Sequence, residues 1–132
     1  IPYHLVVWLW EWMSMTLRLF KTKRFATQAR KAWISDADLR QAFREILQGR
    51  VDNLGGGVWK KRLNSNRHRS IVLARGGRYW VYQCLFAKQD QSNISPDELL
   101  AFRELAKAYE GLSEAQVEAL LAMNEFTELD DE

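Results

Sequence analysis

The sequence contains few of the residues that build disulfides, metal sites or membrane spans. Its single cysteine, Cys84, cannot form an internal disulfide. Its two histidines, His4 and His68, lie far apart and without clustered carboxylates, which is not the pattern of a metal site. The apolar run Leu5–Trp10 has six residues, whereas a membrane helix needs roughly 20. These absences predict one cytoplasmic domain that folds around a hydrophobic core without a cofactor or a membrane anchor.

Charge is distributed unevenly along the chain. The net charge is only +2, yet residues 16–91 carry 17 of the 19 Lys and Arg residues against five acids, a local surplus of +12. Residues 92–132 carry 11 acids and two basic residues, which gives a local charge of −9. A dense basic segment attracts polyanions, so nucleic acid is one expected partner. The alternative is a solvated basic surface that the acidic end merely balances.

Residues 1–15 differ in composition from the rest of the sequence. They contain three of the six Trp residues, and the first regular pattern begins only after Met13 and Met15. They also lack the basic region that opens a secretory signal. We expect residues 1–15 to be a leader or a non-native extension, residues 16–127 to form the domain, and residues 128–132 to be an acidic tail. The alternative for residues 1–15 is an added edge strand or a hydrophobic segment that binds a partner.

Periodicity and capping residues predict eight elements in the order β, α, α, β, β, β, α, α. Hairpin connections imply an antiparallel sheet. We therefore predict an α+β domain, in which a small and mainly antiparallel sheet carries an N-terminal helical hairpin on one face and C-terminal helices beside it. The predicted strands are Thr16–Phe20, Val58–Leu63, Arg69–Arg75 and Tyr79–Ala87. The predicted helices are Lys21–Trp33 and three that begin after Ser35, Ser95 and Ser113 and end near Gly49, Gly111 and Phe126.

Two apolar stripes are expected to bury the helical hairpin against the sheet. In the first helix, Phe25, Ala29 and Trp33 recur at a spacing of four. The stripe of the second helix consists of Leu39, Phe43, Ile46 and Leu47.

A glycine-rich segment, Asn53–Val58, separates the helical hairpin from the next strand. It lacks the lysine spacing of a phosphate-binding loop and is followed by a strand pattern rather than a helix. We therefore expect a tight backbone path into the sheet.

The densest positive charge lies in the segment "KKRLNSNRHRS". Alternation along a strand puts Lys60 and Arg62 on one face and Lys61 on the other. The turn at residues 64–66 then returns the chain beside that strand, where facing residues lie about 5 Å apart. Four or five cations therefore converge, and such crowding is unfavourable without an anion. We interpret the segment as a phosphate site, with solvated charges that bind RNA or an acidic partner without chemistry as the alternative.

These residue types suit RNA cleavage by the adjacent 2′-hydroxyl group. That reaction needs a base for the hydroxyl proton, positive charge beside the pentacoordinate phosphorane and an acid for the leaving 5′-oxygen. A lysine that is crowded by other cations loses its proton more readily and can act as a base, whereas arginine stays charged and makes bidentate contacts to phosphate. The scheme needs no metal ion.

Six motifs, in a fixed order, give the chain a family resemblance. The motifs "KTKRFATQARK", "SDADL", "LGGGVWKKR", "HRSIVLARGG", "FAK" and "NISPDEL" together resemble the RelE/HigB family of bacterial toxins, over about residues 16–127. The resemblance implies the toxin half of a toxin–antitoxin pair, with a HigA-like cognate antitoxin that carries a helix-turn-helix domain. It also implies a metal-independent endoribonuclease that cuts mRNA on the ribosome and so inhibits translation.

The resemblance assigns roles to individual basic residues. Lys60 and Arg62 match a pair of lysines two apart, and Arg69 matches the catalytic arginine that follows them. Lys88, in the "FAK" motif, matches a further basic residue at the end of a strand. Because arginine is a poor base, Lys60 or His68 is expected to move the proton, a task that suits imidazole near neutral pH. Further RNA contacts are expected from Lys61, Arg67 and Tyr82. Tyr82 is placed by alternation on the face of Lys88, and packing in the core is its alternative role.

Two other functions fit the same sequence. A gyrase-poisoning toxin of the related ParE branch would share the fold and lack the catalytic basic set. An inert RNA- or protein-binding module would bind with a steep dependence on salt and would not cut. The convergent cations favour the nuclease over both.

Overall fold

A six-stranded sheet runs through residues 17–130, which are the residues that the computed structural model describes. Its strands are β1 (Arg18–Thr22), β2 (Asp52–Gly55), β3 (Val58–Leu63), β4 (His68–Leu73), β5 (Tyr79–Ala87) and β6 (Phe126–Glu128). The order across the sheet is β2-β3-β4-β5-β1-β6. Only β1 and β5 pair in parallel, and the other neighbours are antiparallel. The predicted α+β class with a mainly antiparallel sheet is therefore confirmed.

Helices cover both faces of this sheet. They are α1 (Lys23–Lys31), α2 (Asp36–Leu47), α3 (Pro96–Glu110) and α4 (Glu114–Ala122). The helical hairpin of α1 and α2 packs on one face, against sheet residues that include Val72 and Tyr82. The other face packs against α3 and α4 and includes Ile71 and Val81. We call these the α1–α2 face and the α3–α4 face. No helix in the described residues is long and apolar enough to cross a membrane.

Serine residues begin three of the four helices, as predicted. The hydroxyl groups of Ser35, Ser95 and Ser113 each accept the backbone N–H three residues later at 3.1 Å. In each helix the side chain of that third residue accepts the serine N–H in return. These reciprocal bonds satisfy N–H groups that a helix otherwise leaves unpaired. In contrast, α1 begins after Thr22, whose hydroxyl accepts the Phe25 N–H at 3.0 Å. The helix begins later than predicted because the first strand extends to Thr22.

Two edge strands have no counterpart among the predicted elements. Part of the glycine-rich segment forms β2, in which Asp52 pairs with Lys60. The strand β6 pairs with β1, and the buried Leu129 after it donates its N–H to the Leu19 carbonyl at 2.8 Å. The predicted acidic tail is therefore wrong for Glu128 and Leu129, because sheet pairing and burial hold them in the fold. Residues 1–16 and 131–132, including the expected leader, lie outside the described residues.

The predicted core stripes are right at most positions and wrong at two. The buried positions are Phe25, Ala29, Leu39 and Ile46, and Phe43 packs against them. Trp33, however, is 92% exposed and Leu47 is 51% exposed. The reason at Trp33 is that α1 ends at Lys31, so the spacing of four no longer describes the chain there. In α2, Ala42 occupies the buried face, whereas Leu47 is the last helical residue.

Arg103 of α3 fixes the glycine-rich segment against the body of the protein. Its Nη2 atom donates to the Leu54 carbonyl at 2.7 Å and its Nε atom to the Gly55 carbonyl at 3.3 Å. A Cβ atom at Gly56 would lie 2.6 Å from Arg103 Cγ. The expected tight backbone path is thus confirmed, and the arginine explains why a glycine is needed there.

We predict that Gly56→Ala destabilises the protein more than Gly77→Ala does. Both glycines have a positive φ, +66° and +79°, so both variants carry a backbone penalty of about 1–2 kcal/mol. Only the Cβ at position 56 meets the Arg103 side chain, since nothing lies within 4 Å at position 77. The additional loss in unfolding free energy should be about 1 kcal/mol or more. Urea unfolding followed by tryptophan fluorescence measures it, and equal losses would contradict the close approach.

Candidate functional site

The hairpin of β3 and β4 brings three cationic side chains to the α3–α4 face. Arg62 lies directly opposite Arg69, and Lys60 lies opposite Ile71. Val58 of β3 and Ile71 of β4 are buried on the α3–α4 face. Alternation along each strand therefore puts Lys60, Arg62 and Arg69 on that face as well. We call these three residues the cationic cluster.

The cationic cluster has an acidic neighbour, Asp52 of β2, directly opposite Lys60 in the sheet, but no ion pair forms between them. Within residues 17–130, none of its three side chains forms an ion pair. Lys60 Nζ lies 3.4 Å from Asn93 Oδ1, a neutral group, and Arg62 is exposed. Like charges at facing positions of a sheet repel one another. A bound anion such as phosphate would relieve that repulsion.

Arg69 is held in place by the turn between β3 and β4. Its side chain is largely buried, and its Nη1 atom donates to the carbonyls of Asn66 at 3.0 Å and His68 at 3.2 Å. Its Nε and Nη2 atoms donate to no group in the described part of the chain. These N–H groups are the ones that an arginine uses for bidentate contact with a phosphate.

Lys88 and Arg67 extend the positive charge beyond the cluster. The Lys88 N–H donates to the Arg67 carbonyl at 2.9 Å, which joins the end of β5 to the β3–β4 turn. Both side chains are exposed. Phe86 packs on the α3–α4 face, and Lys88 is the first residue after the end of β5. The structure thus brings Lys88 to the same end of the sheet as Arg69.

His68 lies on the opposite face of the sheet from the cluster. It pairs with Leu63, whose side chain is buried on the α1–α2 face. Its Nδ1 atom is 3.2 Å from Asn64 Nδ2, and Asn64 Oδ1 accepts from Arg67 Nη2 at 3.1 Å. This contact ties the ring of His68 to the β3–β4 turn on that face. Of the two residues expected to move the proton, only Lys60 shares a face with Arg62 and Arg69.

The structure corrects the expectation that Lys61 contacts RNA. The Lys61 side chain is buried on the α1–α2 face, where its Nζ atom forms an ion pair with Glu45 at 2.9 Å and donates to the Arg50 carbonyl at 2.9 Å. The hydrogen bond from Lys61 lowers the pKa of the Glu45 carboxyl group below its ordinary value. Stability from this lowered pKa is present above the ordinary glutamate pKa of about 4.3 and is lost as the pH falls through the lowered value. Lys61 is therefore a structural residue.

The structure also corrects the expectation for Tyr82. A bulge in β5 pairs Ile71 with Cys84 and Val72 with Tyr82, so one extra residue interrupts the alternation. Tyr82 consequently faces the α1–α2 core, where its hydroxyl donates to the Leu39 carbonyl at 2.7 Å and burial raises its pKa. Cys84 faces the other way, and burial raises the pKa of its thiol to about 11. Tyr82 is thus a core residue that RNA does not reach.

Asn93 is a site residue that the sequence reasoning missed. Its Oδ1 atom accepts from Lys60 Nζ at 3.4 Å and from the Ile94 N–H at 3.0 Å. Gln91 Nε2 donates to the Asn93 carbonyl at 2.9 Å. These bonds hold the loop between β5 and α3 beside Lys60. The "NIS" motif marks the position in the sequence, but only the fold shows that it touches a residue 33 positions earlier.

The cluster and Lys88 together offer a phosphate one candidate base and three further cations. In the residues that the structure describes, no three His, Cys, Asp or Glu side chains come together as a metal site would require. Arginine N–H groups are suited to a phosphorane because they donate in a plane and stay charged. Lys60 is the member of the cluster that can exchange a proton, because arginine is not deprotonated in proteins.

A known protein family matches nearly all of the described residues. A family model described as "RelE toxin of RelE / RelB toxin-antitoxin system" matches residues 17–129. The chain belongs to the RelE toxin family. This RelE toxin is accordingly one half of a toxin–antitoxin system and has an antitoxin as its partner. A search of curated proteins found no match to the chain.

We predict that Lys61→Ala lowers the unfolding free energy of this RelE toxin by about 1–3 kcal/mol, because it leaves Glu45 and the Arg50 carbonyl without their buried donor. The adjacent Arg62→Ala is the matched control, and it should change stability by no more than about 0.5 kcal/mol because the side chain is exposed and unpaired. Chemical denaturation at neutral pH measures both. A smaller loss for Lys61→Ala than for Arg62→Ala would show that the two faces are assigned the wrong way round.

Proposed function

We propose that this RelE toxin is a metal-independent endoribonuclease that cuts mRNA on the ribosome and thereby inhibits translation. One observation carries the proposal. Arg62 and Arg69 face each other across two paired strands, Lys60 lies on the same face, and within residues 17–130 none of the three forms an ion pair, although Asp52 of β2 lies opposite Lys60. An unpaired cluster of this kind has the composition that phosphorane stabilisation requires.

The proposed reaction uses the 2′-hydroxyl of the nucleotide before the cut as its nucleophile. Lys60, in its neutral form, accepts the hydroxyl proton, and the 2′-oxygen attacks the phosphorus atom. Arg62, Arg69 and Lys88 stabilise the charge of the phosphorane. The bond to the 5′-oxygen then breaks, and that oxygen takes a proton from solvent. The products are a 2′,3′-cyclic phosphate and a 5′-hydroxyl end.

Partner and compartment follow from the same proposal. Substrate mRNA and ribosomes are in the cytoplasm, so the toxin acts there. The antitoxin is proposed to be a HigA-like protein with a helix-turn-helix domain. Arg67, exposed at the β3–β4 turn, is proposed to contact the RNA backbone.

We predict that Lys60→Arg slows RNA cleavage by about 100-fold or more, because arginine keeps the positive charge but cannot act as a base. His68→Gln should retain activity within a few-fold, because His68 lies on the other face of the sheet. Lys107→Arg, which makes the same exchange at an exposed cation at the far end of α3, is the matched control and should leave the rate unchanged. Single-turnover cleavage of ribosome-bound mRNA measures all three rates. The reverse order of Lys60→Arg and His68→Gln would assign the base to His68.

The products and cut sites test the reaction itself. A substrate with 2′-deoxyribose before the cut should resist cleavage, and the upstream fragment of normal RNA should end in a cyclic phosphate. In cells, 5′-end mapping shortly after induction should reveal new mRNA ends for the parent protein and none for Arg69→Ala. Growth arrest with intact mRNA and early DNA damage would instead indicate a gyrase-poisoning toxin.

A further inference from the structure

Trp33 is almost completely exposed, at 92% of its reference area, although it is one of the largest apolar side chains in the protein. It is the second residue after the end of α1, next to the C-cap residue Ala32. The core does not use its ring, because the buried residue at this corner is its neighbour Ile34. Burial therefore gives no reason for a tryptophan at this position.

The backbone gives no reason for it either. The Trp33 N–H donates to the Arg30 carbonyl at 3.2 Å, and the Ile34 N–H donates to the Ala29 carbonyl at 3.0 Å. These two bonds define a Schellman motif, in which Trp33 occupies the left-handed position with a φ of +59°. Glycine is the residue usually found there, and a bulky side chain is disfavoured. Trp33 is thus a side chain that the fold tolerates rather than requires.

The position of Trp33 is tied to the basic end of the sheet. The carbonyl of the preceding residue, Ala32, accepts from Asn64 Nδ2 at 3.4 Å. Asn64 belongs to the β3–β4 turn, and its side-chain oxygen accepts from Arg67 at 3.1 Å. One side chain therefore links the end of α1 to the turn that carries the cations.

Positive charge also dominates the surroundings of Trp33. The last turn of α1 contributes two exposed cations, Arg30 and Lys31. The acidic residues that follow are engaged within the fold, since Asp36 forms an ion pair with Lys21 at 2.7 Å and Asp38 accepts the Ser35 N–H at 3.0 Å. An exposed aromatic ring among cations is the arrangement with which proteins hold single-stranded nucleic acid, by stacking on a base while cations follow the backbone.

We propose that Trp33 is a stacking platform for an unpaired base of the RNA, with Arg30, Lys31 and Arg67 following the adjacent phosphates. The inference rests on the proposed function, because it needs an RNA substrate at this end of the sheet. It assigns Trp33 to substrate binding and not to the chemical step. An apolar patch for a protein partner would instead place further exposed apolar side chains beside the ring, whereas the charged side chains in the last turn of α1 and in the β3–β4 turn are the cations Arg30, Lys31 and Arg67.

The test compares Trp33→Gly, Trp33→Phe and the parent protein. Their affinities are measured by fluorescence anisotropy with a labelled, single-stranded RNA that carries 2′-O-methyl groups and is not cut. Trp33→Gly should bind about ten-fold more weakly, and Trp33→Phe should recover most of the affinity because a ring is restored. Because glycine suits the left-handed position, Trp33→Gly should unfold at the same or a higher urea concentration, so misfolding does not explain its loss.

Two further measurements identify what the ring contacts. The slope of binding against salt concentration should be unchanged in Trp33→Gly, whereas Arg67→Ala should flatten it, because only the second change removes a phosphate contact. An RNA probe with abasic nucleotides should bind the parent protein and Trp33→Gly equally.

Different results overturn the inference and the proposed function. If the parent protein cuts mRNA and Trp33→Gly binds RNA as tightly as the parent, the stacking platform is wrong and the nuclease stands. If Trp33→Gly loses affinity for the antitoxin and not for RNA, the ring is a protein contact and the inference is also wrong. If the parent protein neither cuts nor binds RNA, both proposals fail together.

Discussion

The register between β3 and β4 is the constraint on which the candidate site depends. It sets Arg62 opposite Arg69, although like charges at facing positions are unfavourable. The surrounding structure maintains this register with buried neighbours such as Val58 and Ile71 and with the Ser70 hydroxyl, which donates to the Lys61 carbonyl at 2.9 Å. A slip of one residue would exchange the two faces of the strand and carry Lys61 to the place of Arg62. The core thus determines where the charge is concentrated.

Strand β3 serves two purposes because its side chains alternate between the two faces of the sheet. Lys60 and Arg62 lie on the α3–α4 face and form no ion pair in the described residues, whereas Lys61 between them is buried in an ion pair with Glu45. Lys61, which stabilises the fold, and Lys60, which we propose acts on the substrate, are therefore adjacent in the chain.

Sequence reasoning succeeded where a local rule applied without interruption. The serine caps and the alternation in β3 depend on neighbours within a few residues, so they could be predicted. Tyr82 was assigned to the wrong face because one bulged residue reversed the alternation, and no local signal marks that bulge. The edge strands β2 and β6 are short and polar, and they exist because distant strands offer hydrogen bonds. Asn93 and Trp33 likewise acquire their positions beside the cations only through the tertiary fold.

The place of β1 in the sheet has a consequence for the synthesis of the protein. This strand, the first of the described strands in the sequence, lies between β5 and β6, so both of its neighbours come from later segments, residues 79–87 and 126–128. Contacts between such distant segments form late, because the loop between them must first be closed. The hairpin of β3 and β4 is complete long before that, but it has no finished sheet beside it. The sheet can therefore be completed only when nearly all of the described chain has been made.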